Sequence, residues 1–133
     1  MRTLALAVAL LAVAAVSASA ATHTLIPGCG DNASYKPKTV IIACGDGAFR
    51  IVKLEWSKWK KSTATGSGTA KVNTCDPNCA EGKFKSYPIT LTADKPGTCP
   101  NGKRAFTRLT YSFTDKKPKG VKRTEHVPRP CNA

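Results

Sequence analysis

A chain of 133 residues has room for one domain with a modest core, which excludes a multidomain architecture. Its 21 Lys and Arg against 8 Asp and Glu give a formal charge of +13, a balance that favours polyanionic partners without selecting one. No apolar run reaches the ~20 residues needed to cross a bilayer as a helix, which excludes an integral membrane protein of that kind.

The chain opens on Met1-Arg2-Thr3, runs apolar and uncharged for thirteen residues from Leu4 to Val16, and reaches Ala18-Ser19-Ala20. A short positive segment, an apolar stretch and small residues at the cleavage positions make residues 1–20 a secretory signal peptide. Cys29, in Leu25-Ile26-Pro27-Gly28-Cys29, does not read as a lipidation site: Pro27 sits badly there and the cysteine lies well beyond the apolar run. The expected product is a secreted, extracellular, monomeric protein of 113 residues, with 20 basic and 8 acidic side chains and a charge of +12.

Residues 21–38 read as an irregular lead-in containing Pro27, Gly28, Gly30, Asp31 and Pro37. The β-branched run Thr39-Val40-Ile41-Ile42-Ala43 predicts a buried strand, and Cys44-Gly45-Asp46-Gly47 a turn. Phe49 to Trp56 predicts its hairpin partner, with Val52, Leu54 and Trp56 on one face. Ser62 to Thr69 is small and polar, with a third strand expected to begin around Gly68 to Val72. Cys75-Asp76-Pro77-Asn78-Cys79 reads as a turn clamped by its cysteines. Ile89, Leu91 and Ala93 alternate with threonines as a half-buried strand does, and 95–103 reads as a loop. Ala105, Thr107, Leu109, Tyr111 and Phe113 mark the inward face of a last strand. Residues 39–115 are therefore the β domain, and 116–133 a basic tail pinned back by Cys131. With no sustained helical period, the expected class is all-β: a small antiparallel sandwich of immunoglobulin-like form, or an open barrel.

Cys29, Cys44, Cys75, Cys79, Cys99 and Cys131 all follow the signal peptide, and an even count there reads as three disulfides. A zinc site is disfavoured because no C-x-x-C occurs and His23 and His126 lie near opposite ends. Spacing does not select a connectivity; the pairing expected is Cys29 with Cys131, tying the two ends, with the other four stapling the interior.

Two patterns suggest binding. In Trp56-Ser57-Lys58-Trp59-Lys60-Lys61, indoles and ammonium groups interleave, a combination that stacks on rings while pairing with an anionic chain. Trp56 shares the face of Val52 and Leu54 and reads as core, which leaves Trp59 with Lys58, Lys60 and Lys61 as the surface candidate. The tail adds Lys116, Lys117, Lys119, Lys122, Arg123 and Arg129, which suit an anionic polymer or cell surface or simply keep the tail solvated. Export makes nucleic acid a less natural partner than cell-surface polymers. A third feature is conditional on cleavage after Ala20: the terminus Ala21-Thr22-His23 then places an amine, two amides and the His23 imidazole as nitrogen donors for Cu(II) or Ni(II). Cleavage one residue later removes it. Asn32-Ala33-Ser34 matches a glycosylation acceptor.

Enzyme signatures are lacking: the sequence holds no G-x-S-x-G, phosphate-binding loop or H-E-x-x-H. Asp31, Asp46, Asp76 and Asp94 fall where turns use them. No catalytic residue and no cofactor is therefore assigned.

The segments Ile42-Ala43-Cys44-Gly45-Asp46-Gly47, Leu54-Glu55-Trp56-Ser57-Lys58-Trp59 and Cys75-Asp76-Pro77-Asn78-Cys79-Ala80-Glu81-Gly82 together resemble small exported proteins of actinobacteria. The resemblance implies an exported, disulfide-bearing domain and brings no activity and no functional residues with it. The function expected is non-catalytic binding of an anionic surface or polymer. The alternative is a protease inhibitor or antimicrobial factor presenting a disulfide-held loop, either Cys75 to Cys79 or Lys95 to Lys103.

Overall fold

The computed structural model describes residues 22–131; the signal-peptide reading of residues 1–20 and the proposed terminal amine of Ala21 lie outside them. Eight strands follow one another: β1 (Ile26–Pro27), β2 (Ala33–Ser34), β3 (Val40–Ile41), β4 (Phe49–Trp59), β5 (Ala64–Asn73), β6 (Phe84–Thr98), β7 (Arg104–Phe113) and β8 (Thr124–Pro128). β1 and β2 form a small hairpin, and β3 to β8 form one antiparallel sheet in sequential order. The all-β, antiparallel, disulfide-stapled class holds, and of its two expected forms the sheet takes the open one, curling into a half-barrel. An immunoglobulin sandwich needs Greek-key connections between two sheets. Here each strand of the larger sheet is followed by its hydrogen-bonded neighbour, through connections of up to ten residues, so the meander closes its core by curling.

The curl originates in β5. Its inward positions are Ala64, Gly66, Gly68 and Ala70, so large side chains of the flanking strands fold across it. A Cβ on Gly66 would lie 2.6 Å from the Glu55 carbonyl oxygen, and one on Gly68 would lie 2.9 Å from that of Val52. Opposite these glycines β4 is irregular at two places, between Val52 and Glu55 and between Trp56 and Lys58. A bulge inserts one residue and shifts the alternation. Ile51 and Leu54, three apart, therefore both reach the core, with Lys53 between them at φ 52°, and Val52 is only half-buried. That corrects the simple alternation expected through Val52, Leu54 and Trp56. The second bulge turns Trp56 and Trp59 to the same side, with ring centroids 4.7 Å apart.

The concave face packs Ile51, Leu54, Ile89, Leu91, Leu109 and Phe113. Three further boundaries differ from expectation. The buried strand expected over 39–43 is the two-residue edge strand β3, with Val40 buried and Ile41 exposed, because the Ile42 and Ala43 amides both donate to Phe49 O and turn the chain early. The 95–103 loop shrinks to 99–103, since β6 and β7 keep pairing to Thr98 and Arg104. The tail supplies β8, and ahead of it the lead-in supplies Leu25, which pairs in parallel with Ala105 beside β7.

The three disulfides are Cys29–Cys44, Cys75–Cys79 and Cys99–Cys131. The expected Cys29–Cys131 tie does not form. β8 runs antiparallel to β7 and so heads toward the β6–β7 turn, which delivers Cys131 to Cys99. Cys29, in the turn of the β1–β2 hairpin, meets Cys44 in the β3–β4 turn with Cα atoms 5.5 Å apart. Each end of the domain is tied separately.

Candidate functional site

Strand polarity places the two basic clusters at opposite ends of the half-barrel. Trp59 pairs with Ala64 at one end of β5, while Asn73 at the other pairs with Phe84. Ten residues of β5 separate them, about 30 Å at ~3.3 Å per residue.

At the first end Trp59 is half-buried. Its Nε1–H donates to Thr24 O at 3.1 Å, and its ring meets Tyr35, Trp56 and Phe106 edge-on at 5.2, 4.7 and 5.8 Å. Lys58, Lys60 and Lys61 stand exposed around it, and the Lys61 carbonyl accepts the Thr24 hydroxyl. The outermost aromatic surface here belongs to Tyr35, 43 % exposed, on which the exposed His23 stacks at 4.0 Å. The Lys36 ammonium lies 5.3 Å from the Tyr35 ring. Neither Tyr35 nor Lys36 stood out in the sequence, because the lead-in shows no period that would place them on Trp59. Among the described residues no group of three His, Cys, Asp or Glu side chains is placed to hold a metal ion.

At the second end two pockets, of about 340 and 530 Å³, share Thr74 and Lys85 and form one groove beside the Cys75–Cys79 loop. Lys119 and Tyr87 line the first, and Lys83 and Glu81 the second. The loop beneath is stiffly braced: Asn73 accepts from the Cys75 amide at 2.9 Å and donates to Cys79 O at 2.8 Å. Asn78 and Glu81 exchange two further hydrogen bonds, at 2.7 and 3.0 Å. Of the tail candidates, Lys119 lines the groove, whereas Lys116 and Lys122 are exposed outside its lining. Lys117 donates to Val121 O at 2.6 Å, and Arg123 to Phe113 O and Asp115 O, both at 2.8 Å, so these two hold their own turn in shape.

Between the ends, the convex face carries Arg108, Asp94, Thr110 and His126. Arg108 makes two hydrogen bonds to Asp94, and Thr110 Oγ1 lies 2.8 Å from His126 Nδ1. The Arg108 hydrogen bonds hold the Asp94 carboxyl below the usual aspartate range. A carboxyl depressed in the folded state stabilises above its unfolded pKa, and that contribution disappears as pH falls through the folded value. The pair is partly exposed, so the effect is small. Asp94→Asn is expected to lower the midpoint of urea unfolding at pH 6 and to leave it unchanged at pH 2. Equal losses at both pH values would show that Asp94 acts through packing.

Arg108–Asp94 is the only ion pair among the described residues, although these hold 20 Lys and Arg. No family model matches the chain, and no curated protein and no solved structure matches it.

Proposed function

We propose that this is an exported, non-catalytic domain that binds an anionic polymer or surface. One observation carries the reading: apart from Arg108, the cations of the described residues have no carboxylate within ion-pair distance. Folding has left their charge uncompensated, at the cost of self-repulsion that three disulfides offset. The groove with Lys83, Lys85 and Lys119 supplies a rigid contact, and the Tyr35–Trp59 end with Lys58, Lys60 and Lys61 a second one. Their separation of about 30 Å suits an extended polymer better than a small anion.

The test is binding of the mature protein to a sulfated polysaccharide over a salt series. Six contacts, at a slope of about 0.7 per neutralised anion, give a slope near −4 and an affinity loss of about 300-fold from about 50 to about 200 mM salt. Replacing Lys83, Lys85 and Lys119 together by Gln is expected to halve that slope. A salt response flat in the unsubstituted protein would sink the proposal. A second reading is favoured by the bracing of the exposed Cys75–Cys79 loop: presentation of that loop to a single protein partner. It requires saturable, salt-tolerant binding in the same assay format.

A further inference from the structure

Arg129 is the buried charged side chain of the described residues, only 5 % exposed, and no carboxylate pairs with it. One Nη–H donates to Cys44 Sγ at 3.3 Å and the other to Ile41 O, while the buried Nε–H meets no acceptor. Burial pushes the guanidinium pKa below its ordinary value, yet arginine stays charged at neutral pH. A buried cation without a counter-anion is costly. Cys44 Sγ is the atom in contact with it that can become an anion.

The other sulfur of that disulfide, Cys29 Sγ, lies 4.0 Å from Ile41 O, the carbonyl that also accepts from Arg129. Cys29 lines a cleft of about 220 Å³ walled by Ile26, Pro27, Val40 and Ile41, and Cys44 is not part of that lining. A cleft lined by Cys29 and a direct contact of the unpaired cation with Cys44 Sγ make the two cysteines inequivalent.

We infer that Cys29–Cys44 is a thiol–disulfide exchange site whose substrate is a small-molecule or peptide thiol entering the cleft. The incoming thiolate attacks Cys29 Sγ. A bond forms between that sulfur and Cys29, the Cys29–Cys44 bond breaks, and its electron pair leaves on Cys44 Sγ as a thiolate beside Arg129. A second substrate thiolate then attacks the substrate sulfur of the mixed disulfide. The substrate leaves as its own disulfide, and Cys29 departs as a thiolate that takes a proton from solvent. Two substrate thiols are thereby oxidised as one protein disulfide is reduced. Thiolates beside cations have pKa values of about 3.5–7.5 against ~8.5 for free cysteine, and a lower leaving-thiol pKa speeds the exchange.

The site of first attack decides the matter. The native oxidised protein is treated briefly with reduced glutathione at pH 7, trapped with N-ethylmaleimide and mapped by mass spectrometry. Glutathione on Cys29 and maleimide on Cys44 is the expected early product. Cys44 is the more exposed of the two residues, so accessibility alone places glutathione on Cys44, and that product would overturn the inference. In Cys29→Ser, alkylation of the free Cys44 by iodoacetamide is expected to titrate about one unit or more below ~8.5. A value at or above that reference would also overturn it. Arg129→Met is expected to abolish the preference for Cys29, and its retention in the folded variant would count against the mechanism. If that variant does not fold, the product map of the native chain and the Cys44 titration still decide.

Discussion

Trp59→Ala is expected to lower the unfolding free energy by about 3 kcal/mol, the low end of the range for truncating a large aromatic side chain in a core, because Trp59 is half-buried against it. The ring is wedged among Tyr35, Trp56 and Phe106, and Phe106 is fully buried. The indole N–H is also the donor to Thr24 O, and Thr24 is itself 1 % exposed. Truncation leaves that carbonyl without its partner, adding about 1–3 kcal/mol if water does not replace the indole. The damage reaches the lead-in as well, since the Thr24 hydroxyl donates to Lys61 O and Leu25 pairs beside β7. Urea unfolding followed by near-ultraviolet circular dichroism gives the value. A loss under about 1 kcal/mol, accompanied by weaker polysaccharide binding, would mean that Trp59 serves a ligand and not the core.

Replacing Cys99 and Cys131 together by Ser is expected to cost about 3.5–4 kcal/mol. The bridge spans 32 residues, and chain-entropy bookkeeping for a closed loop of that length gives that figure. It also restrains the last strand. β8 is an edge strand of five residues, hydrogen-bonded to β7 on one side, and Cys131 follows it by three positions. Hydrogen exchange of the Val127 and Arg129 amides is expected to accelerate far more than that of the Leu91 amide on the interior strand β6. Uniform acceleration would mean that the bridge acts only through global stability. Cys75–Cys79, with a separation of 4, closes so short a loop that its removal is expected to cost far less than Cys99–Cys131.

Much of the strand pattern was legible because β-alternation is a local property. Ile89, Leu91 and Ala93, and then Leu109, Tyr111 and Phe113, alternate with polar residues and all face the core. β5 was legible only in its second half, from Gly68 to Val72: Ala64, Gly66, Gly68 and Ala70 alternate with Thr65, Ser67, Thr69 and Lys71, but small residues carry little hydrophobic signal. The β4 bulges were not legible, since they arise where β5 brings its glycines against the Val52 and Glu55 carbonyls. The groove at Lys85 and Lys119 was hidden for a related reason: its walls lie 34 positions apart along the chain and meet only through the sheet.

By itself, then, the sequence determined the all-β class, three disulfides, most inward-facing residues and a charge far from balance, because composition and period-two alternation are properties of neighbours. Only the tertiary structure decided which cysteines pair, which lysines share a groove and what surrounds Trp59. Those depend on strand order and register, which bring residues together across the chain. The unpaired Arg129 guanidinium belongs to the same group: it reaches Cys44, 85 positions earlier, because the half-barrel brings the end of β8 beside the β3–β4 turn.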